Sequence, residues 1–401
     1  MACNLKQIII RHFVEHYYSL ILLPNCHPGF YDGWLNEIQD LMVHHKSLFY
    51  SVLACAASHL HFIDGSSQMH HLALTCYSTS LKEVSHLLAK TSRLENHNGL
   101  LMSVMLLYLH GVRFPVHVLI IEVQCIGCDT IADIPCHVNA AARILAMRLF
   151  RRSININGLF DRLAIESVLY QTFLVMTGLW SEPTRLDFHF DPRFWMKAEK
   201  LLTQSTCFPE GSTSLNSPVL GVPVSFFRLG ILLRQQYLDS LPRKSAIIDQ
   251  LQPEVKAWQA TLFYNYRTRI NDNYDKFISE ETYYRDASYL YIIIISVLLE
   301  QLSRMETTIG PTPMESSDCW QINTAVEILQ SHRFDTGWSR CFIGNWPVYT
   351  LGFLISSPED KKLVLADLEN RWDKQRSTQV NRFKIDLENT WASRKEYSSI
   401  D

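Results

Sequence analysis

Ser47–Phe62, SLFYSVLACAASHLHF, decides the fold. Leu48, Val52, Cys55, Ala56 and His59 recur at three-to-four spacing, the period of one helical face. Ala54, Ala56, Ala57 and Ser58 are small enough to let a second helix approach closely. Outward from this segment the same period predicts helices over Gln68–Lys90, Asn98–Gly111, Asp161–Leu179, Pro223–Leu241, Leu251–Asn265, Thr282–Met305 and Asp318–His332. Strand signals are few, the best being the β-branched run Val116–Val123, VHVLIIEV. The expected fold is all-α, a multi-helix arrangement of antiparallel helix pairs. Ser181–Phe194 and Cys207–Val224 read as loops, and the Ser-, Pro- and Gly-rich stretch 205–224 is the expected loop or internal boundary.

With 401 residues, 47% hydrophobic and 19% charged, the chain can bury one large helical core or two smaller ones. Its 37 Lys and Arg against 40 Asp and Glu leave a net charge of −3, so no global basic field draws it to nucleic acid. Arg148, Arg151 and Arg152 form the best local basic patch, ahead of Arg243-Lys244; such a cluster ordinarily reads as a solvated helix face. The N-terminal MACNLKQIIIRHFVEHYYSLILLP is broken by Arg11, His12, Glu15 and His16, an amphipathic helix and not a signal peptide. The longest other apolar run, Tyr289–Leu299, is too short to cross a bilayer. A soluble intracellular protein is expected, its ten scattered cysteines reduced and mostly in the core.

Candidate sites are sparse. Cys125 and Cys128, with Cys136 and His137 downstream, offer thiolates for a metal or a redox pair, but a structural zinc needs four ligands and no second cysteine pair exists. His44-His45, His59 with His61, and His70-His71 are close sets; adjacent helical histidines point about 100° apart and cannot chelate one ion alone. Asp187, His189 and Asp191 alternate along DFHFDP, as a metal site or a half-buried loop edge would. Glu280-Glu281 is the nearest approach to an acidic magnesium motif and reads more readily as a helix start. GxSxG, Gly-rich phosphate loops and the kinase set are absent from the sequence. Phe226, Phe227, Trp258, Phe263, Tyr264, Tyr266, Tyr283, Tyr284, Tyr289 and Tyr291 either line a cavity for an apolar effector or form a packed core, the ordinary reading. No catalytic, cofactor-binding or metal-ligating residue is assigned, and no cofactor is expected.

Five blocks in order carry a family resemblance: Leu48–Leu60 (LFYSVLACAASHL), His71–Leu88, Leu100–Gly111 (LLMSVMLLYLHG), His137–Leu145 (HVNAAARIL) and Asn345–Trp372 (NWPVYTLGFLISSPEDKKLVLADLENRW). Together they resemble the fungal-specific transcription factor domain, the helical regulatory region that follows the Zn2Cys6 zinc cluster in many fungal regulators. The chain is accordingly expected to be a single such domain over 1–401. The six-cysteine basic cluster has no room before Leu48, and Cys125, Cys128 and Cys136 lack the basic residues to replace it, so zinc and direct DNA binding are not carried over. Val112–Cys128 (VRFPVHVLIIEVQCIGC) interrupts an otherwise smooth reading and is expected to be a translated retained intron; residues 112–128 would then be missing from a spliced cDNA.

The resemblance implies a nuclear transcription regulator, without catalysis, acting on metabolic or secondary-metabolite genes. Its implied partners are other transcription proteins or a homologous subunit, with a small-molecule effector as a further ligand, and no membrane. Trp346, Pro347 and Gly352 are the positions expected to matter for the late block, Pro347 in a helix's first turn. Two other classes fit less of the sequence: a helical enzyme of secondary metabolism, and a protein-binding helical scaffold.

Overall fold

The computed structural model describes residues 2–111, 130–151, 158–182, 191–209, 214–238, 245–270, 279–304, 310–314 and 319–398. Among these, sixteen α-helices and no strand occur; one isolated parallel bridge joins Met314 and Ile355. The all-α expectation holds. Val116–Val123, and the whole of 112–128, lie outside the described residues.

Two compact units are present: Met1–Thr172 with Leu186–Leu220 and Arg376–Gln379, and Phe173–Arg185 with Gly221–Gln375 and Val380–Asp401. The main division along the chain falls at Leu220–Gly221.

In the first unit, α1 (Ala2–His12) runs through a π-helical turn, Phe13–Tyr17, and precedes α2 (Pro28–His44), α3 (Lys46–Asp64), α4 (Ser67–Lys90), α5 (Asn98–Gly111), α6 (Thr130–Arg151) and α8 (Pro192–Gln204). Helix α7 (Leu159–Thr177) supplies its first fourteen residues, through Thr172. Chain chemistry sets the ends. Pro28 opens α2, with its fixed φ already helical, and Gly65 stops α3 at φ +69°, a left-handed conformation that suits glycine. Helix α3 packs on α4 and α5. The sequence predicts one apolar face for it, but every residue from Ser51 to His59 is buried.

Its burial is made tolerable by a second, polar stripe. Ser47, Ser51, Cys55 and Ser58 face α5: Ser51 Oγ donates to Ser47 O at 2.9 Å and Ser103 O at 3.2 Å, Cys55 Sγ to Leu106 O at 3.1 Å, and Ser58 Oγ meets His110 Nδ1 at 2.7 Å. Ser80 of α4 joins through Ser51 Oγ at 2.7 Å. Short hydroxyls satisfy one another here without holding the helices apart.

The second unit is built on α11 (Ser279–Arg304), which packs against α9 (Val224–Leu238), α10 (Ser245–Ile270), α12 (Trp320–Ser331) and α14 (Asn345–Leu354). By length and composition its stretch Thr282–Arg304 is long and apolar enough to cross a membrane, which corrects the count taken from Tyr289–Leu299 alone. That apolar surface is spent inside the unit: Ile292, Ile293, Ile294 and Ile295 are all fully buried, as in a core helix surrounded on every side. The remaining helices are α13 (Thr336–Arg340), α15 (Pro358–Gln375) and α16 (Thr378–Ser398), the last belonging to this unit from Val380.

Candidate functional site: a cleft beside the late helices

The late block is held by a buried polar network. Arg371 of α15 is fully buried; its Nε donates to Asp367 Oδ2, and one terminal nitrogen to Cys341 O at 2.7 Å and Asn345 Oδ1 at 3.1 Å. Its guanidinium lies 4.8 Å from the Trp338 ring, whose Nε1 donates to Asp367 Oδ1 at 2.8 Å. His332 stacks on Trp338 at 4.5 Å and bonds Asp286 Oδ2 at 2.8 Å. Gln375 closes the set, donating to Ser339 O at 2.7 Å and accepting from Asn345 Nδ2 at 2.9 Å. Asp335 caps α13: burial works against its charge, but bonds from Tyr283, the Trp338 and Gly337 amides and His332 together hold its carboxyl below the usual range.

The three residues singled out in this block have distinct jobs. Trp346 is buried, stacked on Tyr291 at 5.8 Å and edge-on to Phe173 at 5.2 Å. Pro347 is the third residue of α14, in its first turn, where a missing amide hydrogen costs nothing. Gly352 allows close approach: a Cβ there would lie 2.6 Å from a Leu387 methyl carbon, and its carbonyl accepts from Trp391 Nε1 at 3.0 Å.

Next to this block a cleft of about 390 Å³ opens in the second unit. Trp180 and Phe353 give it aromatic walls, Asp386 and Arg394 carry its charge, and Asn389 and Thr390 of α16 add polar rim groups. Asp386 is buried and committed, one oxygen accepting from Ser181 Oγ and the other from Tyr349 OH. Tyr349 in turn accepts from the Trp180 amide at 2.6 Å; burial, reinforced by the Asp386 charge, drives its phenol well above the ordinary range. Behind Trp180, Arg234 lies 4.4 Å from the ring and donates to the carbonyls of Thr177, Leu179 and Glu182 at 3.1, 2.7 and 3.0 Å. Burial among these neutral acceptors brings its guanidinium down to about 10.

Arg394 differs in its partners. One terminal nitrogen donates to Phe353 O at 3.2 Å and the other to Pro311 O at 3.1 Å, and its charge sits 5.7 Å from the Phe353 ring. Among the described residues it pairs with no carboxylate. Burial depresses its pKa, and two carbonyls leave part of a five-donor fork unspent.

The other sequence candidates fall elsewhere. Arg148 is not on a solvated face: it is buried, donating to Glu95 O, Asp161 Oδ1 and Asn98 Oδ1 at 2.8 to 2.9 Å. Arg151 is exposed, 3.7 Å from Glu95; Arg152, Arg243 and Lys244 lie outside the described residues. Cys136 is exposed, while adjacent His137 is buried, bonded to Tyr77 OH at 2.9 Å, and pushed down to about 4 by its burial. Cys125 and Cys128 lie outside the described residues. His59 meets His12 at 2.8 Å, and His61 lies 4.9 Å from His70. Among the described residues no three His, Cys, Asp or Glu side chains group as a metal ion would require.

Asp191 caps α8 by accepting from the Arg193 amide at 2.9 Å; Asp187 and His189, and the side chains of Glu280 and Glu281, lie outside the described part. Most of the described aromatics pack as a core: Phe226, Phe227, Tyr284, Tyr289 and Tyr291 are buried, with Trp258 edge-on to Phe226 at 5.0 Å, while Tyr283 is half-buried and donates to Asp335 Oδ1 at 2.8 Å; the side chains of Phe263, Tyr264 and Tyr266 lie outside the described part. The cleft lies apart from them, and sequence periodicity gave no hint of it, because its walls come from segments far apart along the chain.

Compared with known protein families, residues 8–401 match the fungal specific transcription factor domain. The chain belongs to that family, and its role is that of a transcription-regulator-like protein; the membership points away from catalysis and towards the nucleus. No curated protein and no solved structure matches it.

Proposed function

We propose that this chain is a regulatory domain that works in the nucleus and controls transcription of metabolic genes through contacts with other proteins, a homologous subunit among them. The family match across residues 8–401 carries this reading. Two physical features favour protein contacts over direct reading of DNA. The net charge is −3, and Arg148, one of the three arginines of the best basic cluster, commits its guanidinium to Glu95, Asn98 and Asp161. Binding of the purified chain to a pool of duplex DNA fragments, at low and physiological salt with and without zinc, tests it. The expected result is a weak background lost at the higher salt. Enrichment of one sequence motif would show that the chain reads DNA itself and would overturn the route through partners.

A further inference from the structure

We propose that the cleft walled by Trp180 and Phe353 binds a small molecule carrying a carboxylate on an aromatic or otherwise flat apolar body, with the carboxylate on Arg394. The inference goes beyond the regulatory reading and does not depend on it, since it stands on the cleft's own chemistry.

The size is right: about 390 Å³ falls at the small end of the range in which drug-sized ligands are held, roughly 300–1,000 Å³. The two charged groups of the cleft are unequal. Asp386 has both oxygens taken, by Ser181 and Tyr349, and so is a fixed structural anion. Arg394 is a half-buried cation whose partners among the described residues are the neutral carbonyls of Phe353 and Pro311. A guanidinium offers five donors in a planar fork that matches a carboxylate, and two carbonyls use only part of it. Bringing a carboxylate to it exchanges a poorly compensated charge for a paired one. The aromatic walls stand beside it: Phe353 lies 5.7 Å from the Arg394 guanidinium and 6.5 Å from Trp180, so a flat apolar body extending from the carboxylate meets ring surface. Asn389 and Thr390 at the rim add hydrogen-bonding groups for a polar substituent. The Arg394 fork thus gives an anion its donors, whereas Asp386 offers a cation only oxygens that already accept from Ser181 and Tyr349.

The test uses the full chain and three matched probes: 2-naphthoate, its neutral carboxamide, and 2-naphthylmethylamine. Ligand-observed NMR titration is expected to show 2-naphthoate binding with a Kd of about 1 mM or tighter, and the amide and amine about tenfold weaker or worse. Arg394→Gln removes the charge and is expected to bring 2-naphthoate down to the affinity of the amide. Asn389→Trp fills the cleft from an exposed position, so it leaves thermal stability unchanged and is expected to abolish binding of all three. Absence of 2-naphthoate binding, equal or tighter binding of the amine, or binding that survives both substitutions in folded protein overturns the proposal.

Discussion

Two helical seams of this molecule solve the same problem with different chemistry. In the first unit, α3 meets α5 through Ser47, Ser51, Cys55 and Ser58, small groups whose hydroxyls and thiol bond backbone carbonyls and one another. In the second, α13, α14 and α15 are joined by Arg371, Asp367, Asn345 and Gln375, long or charged groups. The hydroxyl seam is redundant, because Ser80 and Ser51 both donate to Ser47 O. The charged seam is not, because Arg371 is the counter-charge to buried Asp367. A seam of small neutral donors therefore degrades gradually, whereas one organised round a buried ion fails when that ion is removed.

The largest expected effect follows from that difference. Arg371→Met leaves the Asp367 carboxylate buried and unpaired and should cost about 3–5 kcal/mol, read by urea unfolding and by hydrogen exchange concentrated in peptides of the second unit. Replacing both partners, Asp367→Leu with Arg371→Met, should recover much of the loss. If the single substitution costs no more than a surface change, the contrast between the seams is wrong.

Acidification should weaken the first unit through His137. The unfolded imidazole takes up its proton near pH 6.5, whereas burial delays uptake in the folded chain to about 4. The stabilisation is thus complete above about pH 6.5 and is lost as pH falls towards 4, with a slope of at most about 1.4 kcal/mol per pH unit. Urea midpoints measured from pH 7 to pH 4.5 should fall, and His137→Gln should flatten that fall. An unchanged slope in the variant would remove His137 from the account. The smallest effect belongs to the hydroxyl seam: Ser51→Ala should cost about 1 kcal/mol, since Ser80 keeps Ser47 O satisfied. A loss comparable to Arg371→Met would erase the distinction.

Much of this was legible in the sequence. Asn98–Gly111 has the bounds expected of it, being apolar almost throughout between Asn98 and Gly111, and Gln68–Lys90, which carries an apolar period, differs from α4 by one residue. Helices α2 and α8 escaped notice, although each opens with Pro, at Pro28 and Pro192, in segments whose turn residues invite a loop reading. Arg148 misled because spacing places a residue on a helix face without saying what covers that face; Glu95, Asn98 and Asp161 arrive from other segments. The cleft was invisible for the same reason. Trp180, Phe353 and Arg394 stand far apart in sequence, and nothing local distinguishes Arg394 from an ordinary surface cation. The serine stripe of α3 could have been found, since Ser47, Ser51, Cys55 and Ser58 also fall at three-to-four spacing, but the apolar period over the same residues hid it.

The central claim is that this chain regulates transcription, and tethering tests it most directly. The full chain, fused to an unrelated DNA-binding domain and placed upstream of a reporter in a fungal host, should change reporter transcription several-fold relative to the DNA-binding domain alone. Arg371→Met should reduce the change at equal protein level, because it weakens the second unit. A reporter that stays at the level of the bare DNA-binding domain, with the fusion folded, nuclear and bound at its site, would contradict the account.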